Sequence, residues 1–305
     1  MYMDKTNKMG IIYAALSYLL WGILPLYWKA IDKVPPFEIL AHRIFWAFIF
    51  VGILIICGKN IKELIEVIKI KRNIIVISLS AAMVTINWGL YIWSVNSDHM
   101  VEASLGYYIN PLVVVFFGVV FLKEKLSRGQ ISALILASCG VLFLTFQYGK
   151  FPWISVSLAV TFALYGLLKK LTNASAMVSL FIETAMVTPL ALCYIILVQA
   201  SGRGALGSIS VFQTILLVGA GIATAAPLML FGLGAKRIPL STLGFIQYIS
   251  PTMSLFLGVF VFGEEFTRAH LISFGFIWLS LVVYTLSETK IFKVKKTIKN
   301  IEDIS

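Results

Sequence analysis

The chain has 305 residues, 59% of them apolar and 13% charged, with a formal net charge of +11. Soluble domains average about 45–50% apolar and about 25% charged residues, so this composition excludes an ordinary water-soluble protein and predicts one that lives in lipid. The positive residues stand in short segments beside apolar runs, not on one amphipathic surface, which speaks for membrane topology and against a nucleic-acid partner.

A stretch of about 20 apolar residues crosses a hydrocarbon core of about 30 Å. Ten such spans are predicted, near 10–30, 37–57, 74–95, 103–122, 129–147, 153–168, 175–198, 212–233, 239–262 and 269–286. The first follows Lys5 and Lys8 as a signal peptide would, but it continues as WGILPLYWKA, with bulky residues where a cleavage site wants small ones. It is read as a retained helix.

A charged side chain near the bilayer centre costs at least about 2.5–3.5 kcal/mol, so each polar group within a span asks for a reason. In span two, FEILAHRIFWAF places Glu38 and His42 four residues apart on one helical face. Arg43 lies about 9 Å into the same helix. It either pairs with Glu102 or Asp98, snorkels outward, or holds an anionic group of a substrate through its planar guanidinium. Between spans two and three, KNIKELIEVIKIKRN puts Ile61, Leu64, Ile65 and Ile68 on one face and lysines on the other, the pattern of a helix lying on the membrane surface.

In span three, Ser80, Met83, Asn87, Tyr91 and Ser94 follow one helical face with Trp88 beside it, which predicts cavity lining or interhelical hydrogen bonding. After it, NSDHMVEA reads as an outer connector whose His99 and Glu102 would line a gate or simply be solvated. Span four carries LGYYINP, with Tyr107, Tyr108, Asn110 and Pro111; span nine carries LGFIQYISP, with Gln247, Tyr248 and Pro251. Proline removes a backbone donor, so Pro111 and Pro251 are expected to mark paired helix breaks. Asn110 and Gln247 enter from opposite faces to a depth of about 12 Å each, and should meet near the midplane. In span seven, Glu183 sits deep in LFIETAMVTP; burial disfavours its charge unless a positive group is near. It is the candidate proton-coupling acid, with a satisfied structural hydrogen bond as the alternative.

Cys57, Cys139 and Cys193 are separated by whole helices and form no metal or disulfide spacing, so they are expected to be packing residues. No metal and no cofactor is expected. The three histidines form no metalloprotease pattern, and no phosphate loop or nucleophile elbow occurs, which disfavours a membrane enzyme. Nothing resembles a selectivity filter, although a channel is not excluded on that ground.

Lys and Arg number nineteen on the side of the N-terminus and five on the other, with Arg43 inside a span. Positive loops stay in the cytoplasm, so both termini are expected there, with the basic tail 287–305 tethered to the inner surface. The phrase YINPLVVVFFGVVFLKEKLSR (108–128) returns as YISPTMSLFLGVFVFGEEFTR (248–268), offset by 140 residues. Five crossings separate the copies, so the second is inverted; the net +2 of KEKLSR and −1 of GEEFTR then follow from the side each turn occupies. A weaker echo, YLLWGILPL (18–26) in FALYGLLKK (162–170), fits the same division. The fold expected is an all-α integral membrane protein of ten helices in two inverted five-helix repeats, 10–147 and 153–286, an architecture common among secondary transporters.

The phrases FEILAHRIFW, NWGLYIWSVN, EASLGYYINPL, IETAMVTP and STLGFIQYISPT, in that order on ten spans, resemble the RarD permeases of the EamA branch of the drug/metabolite transporter superfamily over nearly the full chain. The resemblance implies a bacterial inner-membrane permease moving a small organic metabolite or drug by alternating access, coupled to protons or else an uncoupled facilitator. Glu38, His42, Arg43, Asn87, Trp88, Asn110, Gln247 and Tyr248 are the cavity positions it implies, joined by Tyr91 and Tyr108 as aromatic candidates.

Overall fold

A computed structural model describes residues 5–97, 99–263 and 265–288. Among these residues every regular element is a helix: α1 (Lys5–Lys29), α2 (Pro36–Cys57), α3 (Ile61–Lys69), α4 (Lys71–Asn96), α5 (Met100–Leu122), α6 (Arg128–Tyr148), α7 (Trp153–Leu171), α8 (Ala176–Ala200), α9 (Val211–Ala235), α10 (Leu240–Gln247), α11 (Ile249–Phe260) and α12 (Arg268–Glu288). Ten stretches are long and apolar enough to cross a membrane, α10 and α11 together forming one of them. The tail beyond residue 288, Asp98 and Glu264 lie outside the described residues.

The helices are inside-out amphipathic, as lipid requires. On α1, Ile12, Leu16, Leu20 and Ile23 form an exposed apolar stripe, while Ala14, Ser17 and Tyr18 are buried on the other side. The short α3 keeps Ile61, Ile65 and Ile68 about half exposed together, an apolar face such as a helix lying on the membrane surface would have. Cys57, Cys139 and Cys193 are free and exposed, so the expectation that they pack the interior is wrong.

Packing partners exchange between the halves: α1 lies on α9 and α7 on α4, α5 on α7 and α1 on α10 and α11. α2 meets α8, α5 meets α10, and α6 meets α12 at the periphery. Small residues let these backbones approach; a Cβ at Gly221 of α9 would stand 2.3 Å from the Trp46 carbonyl carbon of α2. At the N-terminal end of the bundle, Glu124 in the turn after α5 accepts hydrogen bonds from the backbone N–H groups of Leu240 (2.7 Å) and Ser241 (2.8 Å) and from the Ser241 hydroxyl (2.7 Å). It thereby caps α10, whose first N–H groups have no partner within their own helix.

The two prolines act differently. Helix α5 continues without interruption past Pro111, so the expected break there does not occur. Span nine does break, at Tyr248: Pro251 has no N–H for the Gln247 carbonyl four residues earlier, and the helix stops at Gln247 before restarting as α11.

Candidate functional site

At the N-terminal end of the bundle, the last turn of α7 and the second turn of α8 bring Lys169 and Glu183 together, Nζ to Oε1 at 2.9 Å, with 0% and 3% of their side chains exposed. Glu183 also accepts from Ser80 of α4 (2.9 Å), Ser179 (3.0 Å) and Tyr165 (3.4 Å), and Lys169 donates to Ser179 (3.0 Å). A buried charge is tolerable only when paired and hydrogen-bonded, and this carboxylate is both. Lys169 was counted above as a loop cation at the end of span six; it is a core residue instead. Its spacing from Phe162 and Tyr165 on one helical face was the available signal. Just outside the spans, burial together with nearby Lys169 lowers Lys236 from its ordinary value of 10.5 to about 8; its ammonium donates to the Thr172 carbonyl (2.6 Å).

Toward the middle of the bundle, aromatic rings gather around Phe231 of α9. Tyr18 and Trp21 of α1 and Phe162 and Tyr165 of α7 all lie with ring centroids 5.5–6.1 Å from it. Trp21 and Phe162 also touch, at 5.6 Å. These four rings come from the two segments of the weaker sequence echo.

Beside this cluster Gln247 donates to the Asn110 carbonyl oxygen at 2.7 Å, joining the two repeated phrases directly. Asn110 donates to the Ala159 carbonyl (3.3 Å) and Tyr18 to Gln247 Oε1 (3.4 Å), so the amides form a buried network bonded directly to one another. Tyr108 and Tyr248 turn away from the centre. Tyr248 is buried with Ala137 of α6 and Ile277 of α12, and Tyr108 packs against the same group, its ring 5.2 Å from Phe274. Both are placed by helix packing, not with the other cavity candidates.

At the opposite end, Arg43 of α2 lies over the rings of Trp88 (4.5 Å) and Trp28 (5.1 Å) and donates through Nε to Thr224 of α9 (3.0 Å). The expected Arg43–Glu102 pair does not form. Glu102 accepts instead from Tyr148 (2.5 Å) and the Ile154 N–H (3.2 Å), fastening α5 to the α6–α7 hairpin. His99 stacks on Trp93 at 5.6 Å. Tyr91 is partly exposed with its ring 5.8 Å from Tyr107. Asn87 donates to the Leu158 carbonyl (2.8 Å) and Thr161 (2.9 Å) of α7, so at this position interhelical bonding takes the polar stripe. Glu38 and His42 are buried 3.9 Å apart, beyond hydrogen-bonding distance. Glu38 accepts from the Ala205 N–H at 2.6 Å, holding the connector between α8 and α9.

Between the two ends lies a void of about 20 Å³, lined by residues of α2, α4, α8 and α9 that include Thr85, Trp88, Glu183, Thr184 and Thr224. A water needs about 10–15 Å³ by this measure, so the space admits water and nothing larger. Of the cavity candidates only Trp88 lines it, with the coupling candidate Glu183. Thr224, Lys169 and Phe231 were not singled out from the sequence, because nothing in a single residue's local pattern reveals which distant helix it will face.

Comparison with known proteins now adds to this geometry. The model of a family described as EamA-like transporter family matches residues 8–146, the first five spans. The chain is 42% identical over 297 residues to a protein of Bacillus subtilis (strain 168) named uncharacterized transporter YojE, covering 95% of this chain and 98% of that protein. It is 40% identical over 282 residues to protein RarD of Escherichia coli (strain K12), covering 92% and 95%. A crystal structure titled only as that of a protein superposes with a TM-score of 0.70 at 21% identity, over 91% of this chain and 97% of that one, which supports the fold alone.

Proposed function

The chain belongs to the EamA-like transporter family, with RarD proteins among its relatives, and from that membership we propose that it is a secondary transporter carrying a small organic molecule by alternating access. It is a bacterial-type multi-pass membrane protein. The observation that carries the mechanism is the water-sized void lined by Trp88, Thr184 and Thr224, which adjoins the Phe231 ring cluster. An organic substrate fits there only if the surrounding helices part, and a carrier, unlike a pore, must close around its cargo. Two inverted repeats would supply the two related closures; the exchanged packing of α1 on α9 and α7 on α4 supports that division.

Reconstituted vesicles test the carrier reading. A compound found by thermal-shift screening, since a site ligand stabilises the native state, should show saturable counterflow and no ionic current. Linear, unsaturable flux would replace the carrier with a channel-like pore.

Glu183 is the coupling acid in this reading, with Lys169 as its internal counterion. A proton on Glu183 would remove the charge that holds the pair (2.9 Å) and free α7 from α8. Glu183→Gln mimics the protonated side chain but strands the buried Lys169, so it is combined with Lys169→Met; the double variant should preserve counterflow while abolishing accumulation driven by a pH gradient. Gradient-driven accumulation at the wild-type level in this variant would assign transport to an uncoupled facilitator.

The charge asymmetry of the loops supports a cytoplasmic position for both termini. Reporter fusions in 123–128 should then read cytoplasmic and fusions in 263–268 external; the same side for both would dismiss the inverted-repeat reading.

A further inference from the structure

We infer that Arg43 is the substrate-binding cation of the transport site and that the cargo class is a small organic monocarboxylate with an apolar body, an inference that rests on the carrier reading above. The case begins with charge. Lys169 and Glu183 neutralise one another at 2.9 Å. Glu38 is taken by the Ala205 N–H and Glu102 by Tyr148 and the Ile154 N–H. Among the described residues no carboxylate lies within 4 Å of Arg43, so its guanidinium has no ion-pair partner.

The guanidinium is held for use. Nε is committed to Thr224, and the rings of Trp28 and Trp88 flank the plane at 5.1 and 4.5 Å. Those contacts fix the fork without consuming its two terminal NH2 groups, which have no acceptor among the described residues and are not sealed from their surroundings. Two parallel N–H donors match the two oxygens of a carboxylate. Trp88 and Thr224, the residues that position Arg43, also line the void.

The same arrangement disfavours a cation. An aromatic enclosure would attract one, but here the indole faces already hold Arg43, and a second positive charge would meet it. The apolar part of the lining, including Ile44, Val84, Leu180, Val187 and Leu228, offers contact to a body attached to the charged group. A monocarboxylate matches the single guanidinium charge one for one, whereas a phosphate dianion brings a second negative charge that Arg43 does not pair.

The test is binding to the full chain in detergent, read by thermal shift, with phenylacetate, phenylphosphate, phenylacetamide and phenethylammonium as a series of one body and four charges. Phenylacetate should stabilise the protein, the neutral amide and the cation should not, and phenylphosphate should be weaker. Arg43→Gln, in which the amide can still reach Thr224, should weaken phenylacetate binding about tenfold or more, as for loss of a charge-assisted hydrogen-bonded pair. Arg43→Lys should retain part of it. Trp88→Leu, which keeps the charge and loses the flanking ring, should also weaken it. A preference for the amide or the cation, for phenylphosphate, or for none of the four overturns the inference, as does binding of phenylacetate unchanged in both Arg43→Gln and Trp88→Leu. Arg43-dependent binding without counterflow in vesicles would sink the carrier reading and leave the anion site standing. Counterflow of a neutral or cationic compound undiminished in Arg43→Gln would do the reverse.

Discussion

Lys169→Met is expected to destabilise the protein by about 3–5 kcal/mol, the range for stripping one partner from a buried ion pair. Glu183 would keep Ser80, Ser179 and Tyr165 as donors, but no cation within 4 Å, in a site where 3% of its side chain is exposed. Unfolding in mixed micelles should show a large fall in midpoint. Adding Glu183→Gln should recover most of it, because a neutral amide leaves no unpaired charge and its oxygen still accepts from the serines. If the single variant is as stable as wild type, the pair contributes nothing to the fold; if the double is no better than the single, the lysine acts through packing and not through its charge.

Gly221→Val should be comparably severe for a different reason. Its new Cβ would fall 2.3 Å from the Trp46 carbonyl carbon, 2.5 Å from Trp46 Cβ and 2.6 Å from the Ala47 nitrogen, so α9 could not stay on α2. Overpacking typically costs about 1–3 kcal/mol and more where the obstacle cannot move, and backbone cannot swing aside as a side chain does. The expected result is loss of monodisperse protein on size-exclusion chromatography. Gly275→Ala on α12, where a Cβ meets nothing within 4 Å, is the control and should be neutral or slightly stabilising. Normal behaviour of Gly221→Val would mean that α2 and α9 do not approach this closely.

The spans were legible because twenty apolar residues in a row have few other uses, and α3 because Ile61, Ile65 and Ile68 share a face. The meeting of Asn110 with Gln247 was legible from equal depth on opposite approaches, a purely geometric argument. The polar stripe of α4 was harder: its period shows that Ser80 and Asn87 face inward, but not that one meets Glu183 and the other α7. Lys169 misled because it stands beside Lys170 at the end of an apolar run, where a topology count naturally places both in a loop. Arg43 misled in another way. A carboxylate was one of the partners expected for it, whereas the partners are two indoles and a hydroxyl from three other helices. Pro111 and Pro251 show the limit of repeat logic, since equivalent prolines leave one helix continuous and end the other.

Glu124 has a consequence for biosynthesis. The backbone groups it caps lie 116 residues further along the chain, and at about 5–20 residues per second a ribosome needs on the order of ten seconds to make them. Throughout that interval the nascent first half carries a carboxylate whose hydrogen-bond donors do not yet exist, and it must accept from water instead. Exchange of that water for the Leu240 and Ser241 donors is a late event of maturation, and it fastens together two halves that the ribosome delivered separately.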